Sequence, residues 1–303
     1  MTVAAPDKPA APDKPGLRHR LAERGIDRTL LLLVPGVVFV VALFAYPVLY
    51  GLQLSFQPEE GGGPFANYTK FFGDPYLRDT IWITLRLAIP AALTNVLASV
   101  PIAYRMRGRF RGKRLLTTIL VVPITLGTVL TAEGLIQYLG PVGWLNKVLA
   151  LLGADEPVRL VHNYWGVLFS LIITGFPFAF LLTLSYLSGI DPTLEQAAAT
   201  LGADRWRRFR HITLPLLAPG LAITFCLTFV LAFSVFPSAY LVGLPQGETR
   251  VISIAAYESA FRDTDYPLGS AIAMIMAVVM LAVIGLVLLW RSRLYRGATG
   301  GKG

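Results

Sequence analysis

The chain has 303 residues, of which 54% are hydrophobic and 15% charged, with a net charge of +9. Soluble domains carry about 25% charged residues, so water is excluded as the solvent for most of this chain. The basic excess sits in clusters beside apolar blocks, not along one groove or helix face, which argues against nucleic acid as a partner. One cysteine, Cys226, and three scattered histidines, His19, His162 and His211, offer neither a disulfide framework nor a metal site.

Residues 1–28 join an Ala/Pro/Lys/Asp-rich stretch to a polar basic run. This composition cannot bury a core and predicts a disordered cytoplasmic tail. The apolar block from Thr29 to Tyr50 is longer than a signal-peptide core and lies deeper in the chain, so it is expected to stay in the mature protein. It is the first of six segments with the length a spanning helix needs, about 20 mostly apolar residues. The six are 29–50, 80–104, 115–139, 163–187, 217–243 and 268–290. The stretch 143–153 is too short to cross and reads as an amphipathic helix at the outer surface. The predicted fold is therefore an all-α integral membrane protein: six transmembrane helices in a domain over 29–293, followed by a second cytoplasmic tail over 294–303. Pro90, Pro123, Pro177 and Pro237 fall inside predicted helices, either as packing kinks or as breaks lining a moving pathway.

Basic residues near helix ends favour the cytoplasmic side. Residues 1–28, 105–114, 188–216 and 291–303 hold twenty Lys and Arg, against six in loops 51–79, 140–162 and 244–267. Both termini are accordingly expected in the cytoplasm. Arg86, inside the second segment, and Glu133, inside the third, are the clearest ionisable exceptions. Each lies six residues from the outer end of its helix, about 9 Å at 1.5 Å per residue. Equal depth and opposite charge suggest an ion pair, or two charges lining one outer vestibule. The simpler arrangement is Arg86 snorkelling to the headgroups while Glu133 bonds locally.

The connector from Ser188 to Pro219 is more structured than a linker. Pro192 suits a first helical position, Glu195 to Thr200 favour helix, Gly202 permits a sharp turn, and Asp204 can open a second short helix running to His211. In that helix Trp206, Phe209 and Arg210 fall at i, i+3 and i+4, so two aromatic rings and a guanidinium share a face. Such a face can dock a partner, or lay its rings on the membrane interface while arginines meet lipid phosphate.

This connector resembles the cytoplasmic signature of permeases of binding-protein-dependent ABC importers, of the type I inner-membrane kind that carries polyamines or sugars. The signature is Glu-Ala-Ala, three residues, Gly, nine residues, Ile, one residue, Leu-Pro. Gly202, Ile212, Leu214 and Pro215 keep its spacing; Ala197 and Ala198 match, and Ala203 follows the glycine, whereas Gln196 stands at the Glu position with Glu195 one place earlier. The resemblance extends from LLLVPGVVFVVALFAYPVLYGLQLSF through NYTKFFGDPYLRDTIWITLRLA to DYPLGSAIAMIM.

It implies a permease subunit paired with a second permease, homologous or identical, in contact with membrane lipid and served by an extracytoplasmic solute-binding protein. Two cytoplasmic ATPase subunits would drive it, with the short helix around Trp206 seated in an ATPase groove and helices four and five acting as a lever. No cofactor is expected in this chain. Independently of the resemblance, no GxxxxGK[ST] loop is present, since GRFRGKR at 108–114 has the wrong spacing and lacks Ser or Thr after Lys, and no catalytic constellation stands out. TLGADRW and DYPLGSA resemble polyamine permeases, the reading preferred from sequence, while RHITLPLL and TRVISIAAYESAF resemble sugar permeases. Ten acidic residues against six basic ones in the outer loops add little to that choice. A secondary transporter would show an internal repeat, and a purely structural membrane protein would not need the coupling loop.

Overall fold

A computed structural model describes residues 28–59, 61–108, 112–153 and 156–296; the expected tails lie almost wholly outside these. The chain divides into two compact units, Met1–Gln53 and Leu54–Gly303. The first apolar block forms α1 (Arg28–Ser55), which contains Pro35 and Pro47. The second unit holds α2 (Ala66–Gly73), α3 (Pro75–Met106), α4 (Lys113–Leu139), α5 (Trp144–Leu151), α6 (Tyr164–Ser188) and α7 (Pro192–Thr200). It continues with α8 (Arg205–Arg208), α9 (Leu214–Phe233), α10 (Pro237–Val242), α11 (Ile252–Tyr257) and α12 (Tyr266–Arg296). Six helical stretches, in α1, α3, α4 running on to α5, α6, α8 to α9 and α12, are long and apolar enough to cross a membrane. Six crossings are what the hydropathy pattern predicts.

Helix starts follow local chemistry. Asp74 accepts the Tyr76 N–H at 2.9 Å and Pro75 takes the first position of α3; Asn163 accepts the Gly166 N–H at 2.9 Å to open α6. A side-chain oxygen before the first turn supplies an acceptor for one otherwise unpaired N–H, and proline there sacrifices a donor that had no partner.

Two predicted segments are corrected. The fifth, expected over 217–243, ends at Phe233, and α10 begins afresh at Pro237. Proline has no N–H and its ring clashes with the carbonyl four residues back, so it opens the short helix instead of continuing the long one. In the third, the chain leaves helical geometry at Gly127, where φ is 74°. No neighbouring atom lies within 4 Å of a Cβ built there, so the backbone conformation, not lack of space, accounts for glycine. Pro123, four residues earlier, already removes one rung of the same helix.

Packing centres on α3 and α6, the most extensive helix contact in the unit. Lipid tails are as apolar as leucine, so helices in a bilayer associate through close approach and polar contacts, not through exclusion of water. A Cβ on Gly175 would collide with Asn95 Nδ2, which donates to the Leu171 carbonyl at 3.3 Å. Further along the same interface the Ser99 and Thr183 hydroxyls share a hydrogen bond of 2.8 Å, and both residues are buried. Around this seam lie two apolar clusters. Leu87, Val167, Phe229, Phe233, Ile252 and Ile272 build one, and Val100, Met106, Phe180, Leu187 and Leu217 build the other, nearer the 188–219 connector.

Gly175→Val is expected to destabilise the protein by about 1–3 kcal/mol through overpacking, read as a lowered midpoint of thermal unfolding in detergent. Asn95→Ala in the same chain should recover part of the loss, because it removes the atoms that the new side chain meets.

Candidate functional site

The 188–219 connector folds as the sequence predicts in its first half. Asp191 accepts the Thr193 N–H at 2.9 Å, which caps α7 and holds the Asp191 carboxyl below its usual range. Gly202 then adopts φ 81°, and the N–H groups of Gly202 and Ala203 bond back to Ala199 and Ala198, each at 3.0 Å. A left-handed residue at this point is how helices commonly terminate. The second half differs from expectation. Asp204 caps α8 by accepting the Arg207 N–H at 3.0 Å, but the predicted separate helix to His211 is only the first turns of the fifth membrane helix. A π-helical turn, Phe209–Thr213, joins α8 to α9, so Pro215 falls in the first turn of α9, where its missing N–H is tolerated.

The turn presents an apolar surface. Trp206 is 66% exposed and stacks on Phe209 with ring centroids 5.8 Å apart; Leu201, at the end of α7, is 89% exposed. Phe209 is half-buried and meets Tyr104 of α3 edge-on at 5.0 Å. The two rings expected to share a face therefore do so with different tasks, Phe209 anchoring and Trp206 projecting. Gln196, Ala197, Gly202 and Pro215 are exposed, while Ala198, Ala203, Ile212 and Leu214 are partly covered. A cavity of about 370 Å³ opens beside Trp206, lined by Pro101, Tyr104, Arg105, Arg205, Trp206 and Phe209. Sequence reasoning passed over Leu201, although a leucine next to a turn glycine in a polar loop was a legible signal.

It also gave no role to Glu195, which lies at the centre of a polar cluster. Arg107, just past the end of α3, donates from Nη1 to Glu195 Oε1 at 2.8 Å and from Nη2 to the Ile190 carbonyl at 2.5 Å. The Thr213 hydroxyl donates to the same Oε1 at 2.6 Å, and the Tyr104 hydroxyl reaches Oε2 at 3.5 Å. The contact puts Arg107 and the 189–213 connector at one end of the unit.

At the opposite end the predicted Arg86 and Glu133 pair is not formed. Among the described residues neither takes part in an ion pair. The main neighbours of α4 are α6 and α10, not α3, so equal depth does not bring the two side chains together. Arg86 instead lines a cavity of about 320 Å³ with Ile83, Tyr164 and Glu248; the Tyr164 hydroxyl donates to the Arg86 carbonyl at 2.8 Å. Glu133 is exposed on α4. A buried pair of charges at this end is Arg250 and Glu258, joined at 2.8 Å, with the Arg250 guanidinium 3.8 Å from the centre of the Tyr76 ring. They tie the segment before α11 and the turn after it to the start of α3. From sequence alone both enter only the count of outer-loop charges.

The family described as the binding-protein-dependent transport system inner membrane component matches residues 95–296. This chain belongs to that family. It is accordingly a multi-pass inner-membrane permease component. The match takes in Glu133 and the whole connector, while Arg86 precedes it. The permease is 27% identical over 275 residues to the trehalose/maltose transport system permease protein of Thermococcus litoralis, covering 88% of this chain and 92% of that protein. It is also 27% identical over 265 residues to the spermidine/putrescine transport system permease protein of Haemophilus influenzae, covering 84% and 90%. Its fold superposes with a TM-score of 0.76 and 22% identity on a chain of a bacterial alginate ABC transporter in complex with an alginate pentasaccharide-bound periplasmic protein, covering 92% of this chain and 98% of that one.

The unequal burial of the two rings has a measurable consequence. Phe209→Ala should cost about 2 kcal/mol, less than the 3–5 kcal/mol of a fully buried phenylalanine. Trp206→Ala should stay within about 0.5 kcal/mol of the parent, as exposed substitutions do. Thermal unfolding of the two variants in detergent compares them directly.

Proposed function

We propose that this permease forms half of the translocation pathway of an ATP-driven solute importer and couples to a separate ATPase through residues 188–219. The projecting Trp206 carries the reading. A polar connector leaves a large aromatic ring two-thirds exposed, backed by an anchored Phe209 and accompanied by Leu201, within the stretch that matches the family. Exposed apolar groups of this kind, held on a rigid turn, are what a partner's groove requires. The positive-inside bias supports a cytoplasmic position for this end and for both termini. A second permease subunit, two ATPase subunits and an extracytoplasmic receptor complete the importer; the alginate transporter, described with its periplasmic protein, supports the receptor's part. Arg86 and Glu133, exposed on α3 and α4, serve as charged groups of the outer pathway.

For the solute, a saccharide is the reading we favour. Relatives are named for trehalose and maltose as well as for spermidine and putrescine. The Arg86 cavity places a cation, a carboxylate and a tyrosine around one space. Groups of both signs suit the mixed donors and acceptors of sugar hydroxyls, whereas an organic dication calls for acidic groups without a facing arginine. The polyamine reading retains the support of the spermidine/putrescine relative.

Trp206→Ala should leave the permease inserted but abolish its co-purification with the ATPase, and normal assembly of that variant would remove the docking role. In the parent complex, ATP hydrolysis should be stimulated by the receptor loaded with a disaccharide and not by the receptor with spermidine; the reverse would restore the polyamine reading.

A further inference from the structure

Arg107 and Glu195 bracket the joint between α6 and the turn that bears Trp206. The guanidinium holds the Ile190 carbonyl before the joint and the Glu195 carboxylate after it. The same carboxylate accepts from Thr213, a fully buried residue in the π-helical turn that leads into α9. Side-chain exposures of 13% for Arg107 and 18% for Glu195 keep most water away from the pair. Charge-assisted hydrogen bonds of this length are the strong ones, and a partner left alone there would be a desolvated charge.

The contact also explains an irregularity of the motif. Gln196 stands where a carboxylate is expected and is exposed, while Glu195, one residue earlier and about 100° round the helix, turns inward. Because its carboxylate is committed to Arg107 and Thr213, it is not presented to a partner.

We infer that Glu195 is a positioning residue that binds the ATPase-docking turn to the cytoplasmic end of α3, making α3 a third lever arm beside α6 and α9. This rests on the coupling role proposed above and deepens it. A push on Trp206 is carried to α6 through Ile190, to α9 through Thr213 and to α3 through Arg107. On α3, Arg86 stands 21 residues before Arg107, about 30 Å along the helix. The tie therefore links the docking turn to the Arg86 cavity through one continuous helix.

The test uses the permease assembled with its ATPase and receptor in proteoliposomes, with solute taken up per ATP hydrolysed as the readout. Glu195→Ala and Arg107→Ala should each lower that ratio about ten-fold, the equivalent of one charged hydrogen bond, while the ATPase still co-purifies through Trp206. The double variant should be no worse than the worse single one. Glu195→Cys with Arg107→Cys, bridged by a short bis-maleimide linker, should recover the ratio, which a merely destabilised loop would not do. Three results overturn the inference: unchanged ratios in the single variants, losses that multiply in the double variant, or no recovery on bridging, whether or not the cysteine pair assembles. Loss of the ATPase from Glu195→Ala alone, with Arg107→Ala retaining it, would place Glu195 on the docking face and equally overturn it. Failure of the parent permease to co-purify with the ATPase would instead defeat the coupling reading itself.

Discussion

The seam between α3 and α6 is the constraint on which the rest of this permease depends. In a bilayer, burying leucine against leucine gains little over leucine against lipid, so two helices stay together only where their backbones approach closely and their polar groups meet. Gly175 supplies the approach, Asn95 fills the space that a side chain would have taken, and the Ser99 and Thr183 hydroxyls bond across the interface. Among the described residues Asn95 Oδ1 and Ser170 Oγ are buried without a hydrogen-bond partner, so these two helices keep some unused polar capacity. This pair positions features at both of its ends: Arg86 lies within α3, Arg107 just past its last residue, and α6 leads directly into the connector that bears Trp206.

Charge is handled differently at the two ends of the unit. At the end bearing Arg250 and Glu258, a buried ion pair roofed by Tyr76 fastens an irregular connector to a helix start. Breaking such a pair from one side is costly, although an apolar replacement of both partners is often tolerated, so its value is in specifying one arrangement of the connector. At the end bearing Trp206 the carboxylate of Glu195 gathers donors from Arg107, just past α3, and from Thr213, in the turn that leads into α9. Both devices hold loops that hydropathy alone would leave loose.

The six crossings, the helix start at Asp204, the turn at Gly202 and the paired rings of Trp206 and Phe209 were all legible in the sequence. They depend on local rules: about 20 apolar residues per span, a side-chain oxygen before a helix, a glycine where φ is positive, and neighbours at i and i+3. Pro237 was assigned to a helix interior because the apolar run continues across it, yet the chain breaks at 234–236 and restarts. Hydropathy reports solvent preference and says nothing about backbone continuity, which the missing proline N–H decides.

Sequence by itself determined that the chain lives in a membrane, how many times it crosses, and which connector carries the family signature, because solvent preference and backbone propensity act on neighbouring residues. Only the tertiary structure decided which charges meet. Arg86 and Glu133 share a depth but not a neighbourhood, since α4 packs on α6 and α10, and depth along a helix does not specify direction around it. Arg107 and Glu195 are 88 residues apart and Arg250 lies 174 residues from Tyr76. Such partners are chosen by how helices pack side by side, a choice that no local spacing records.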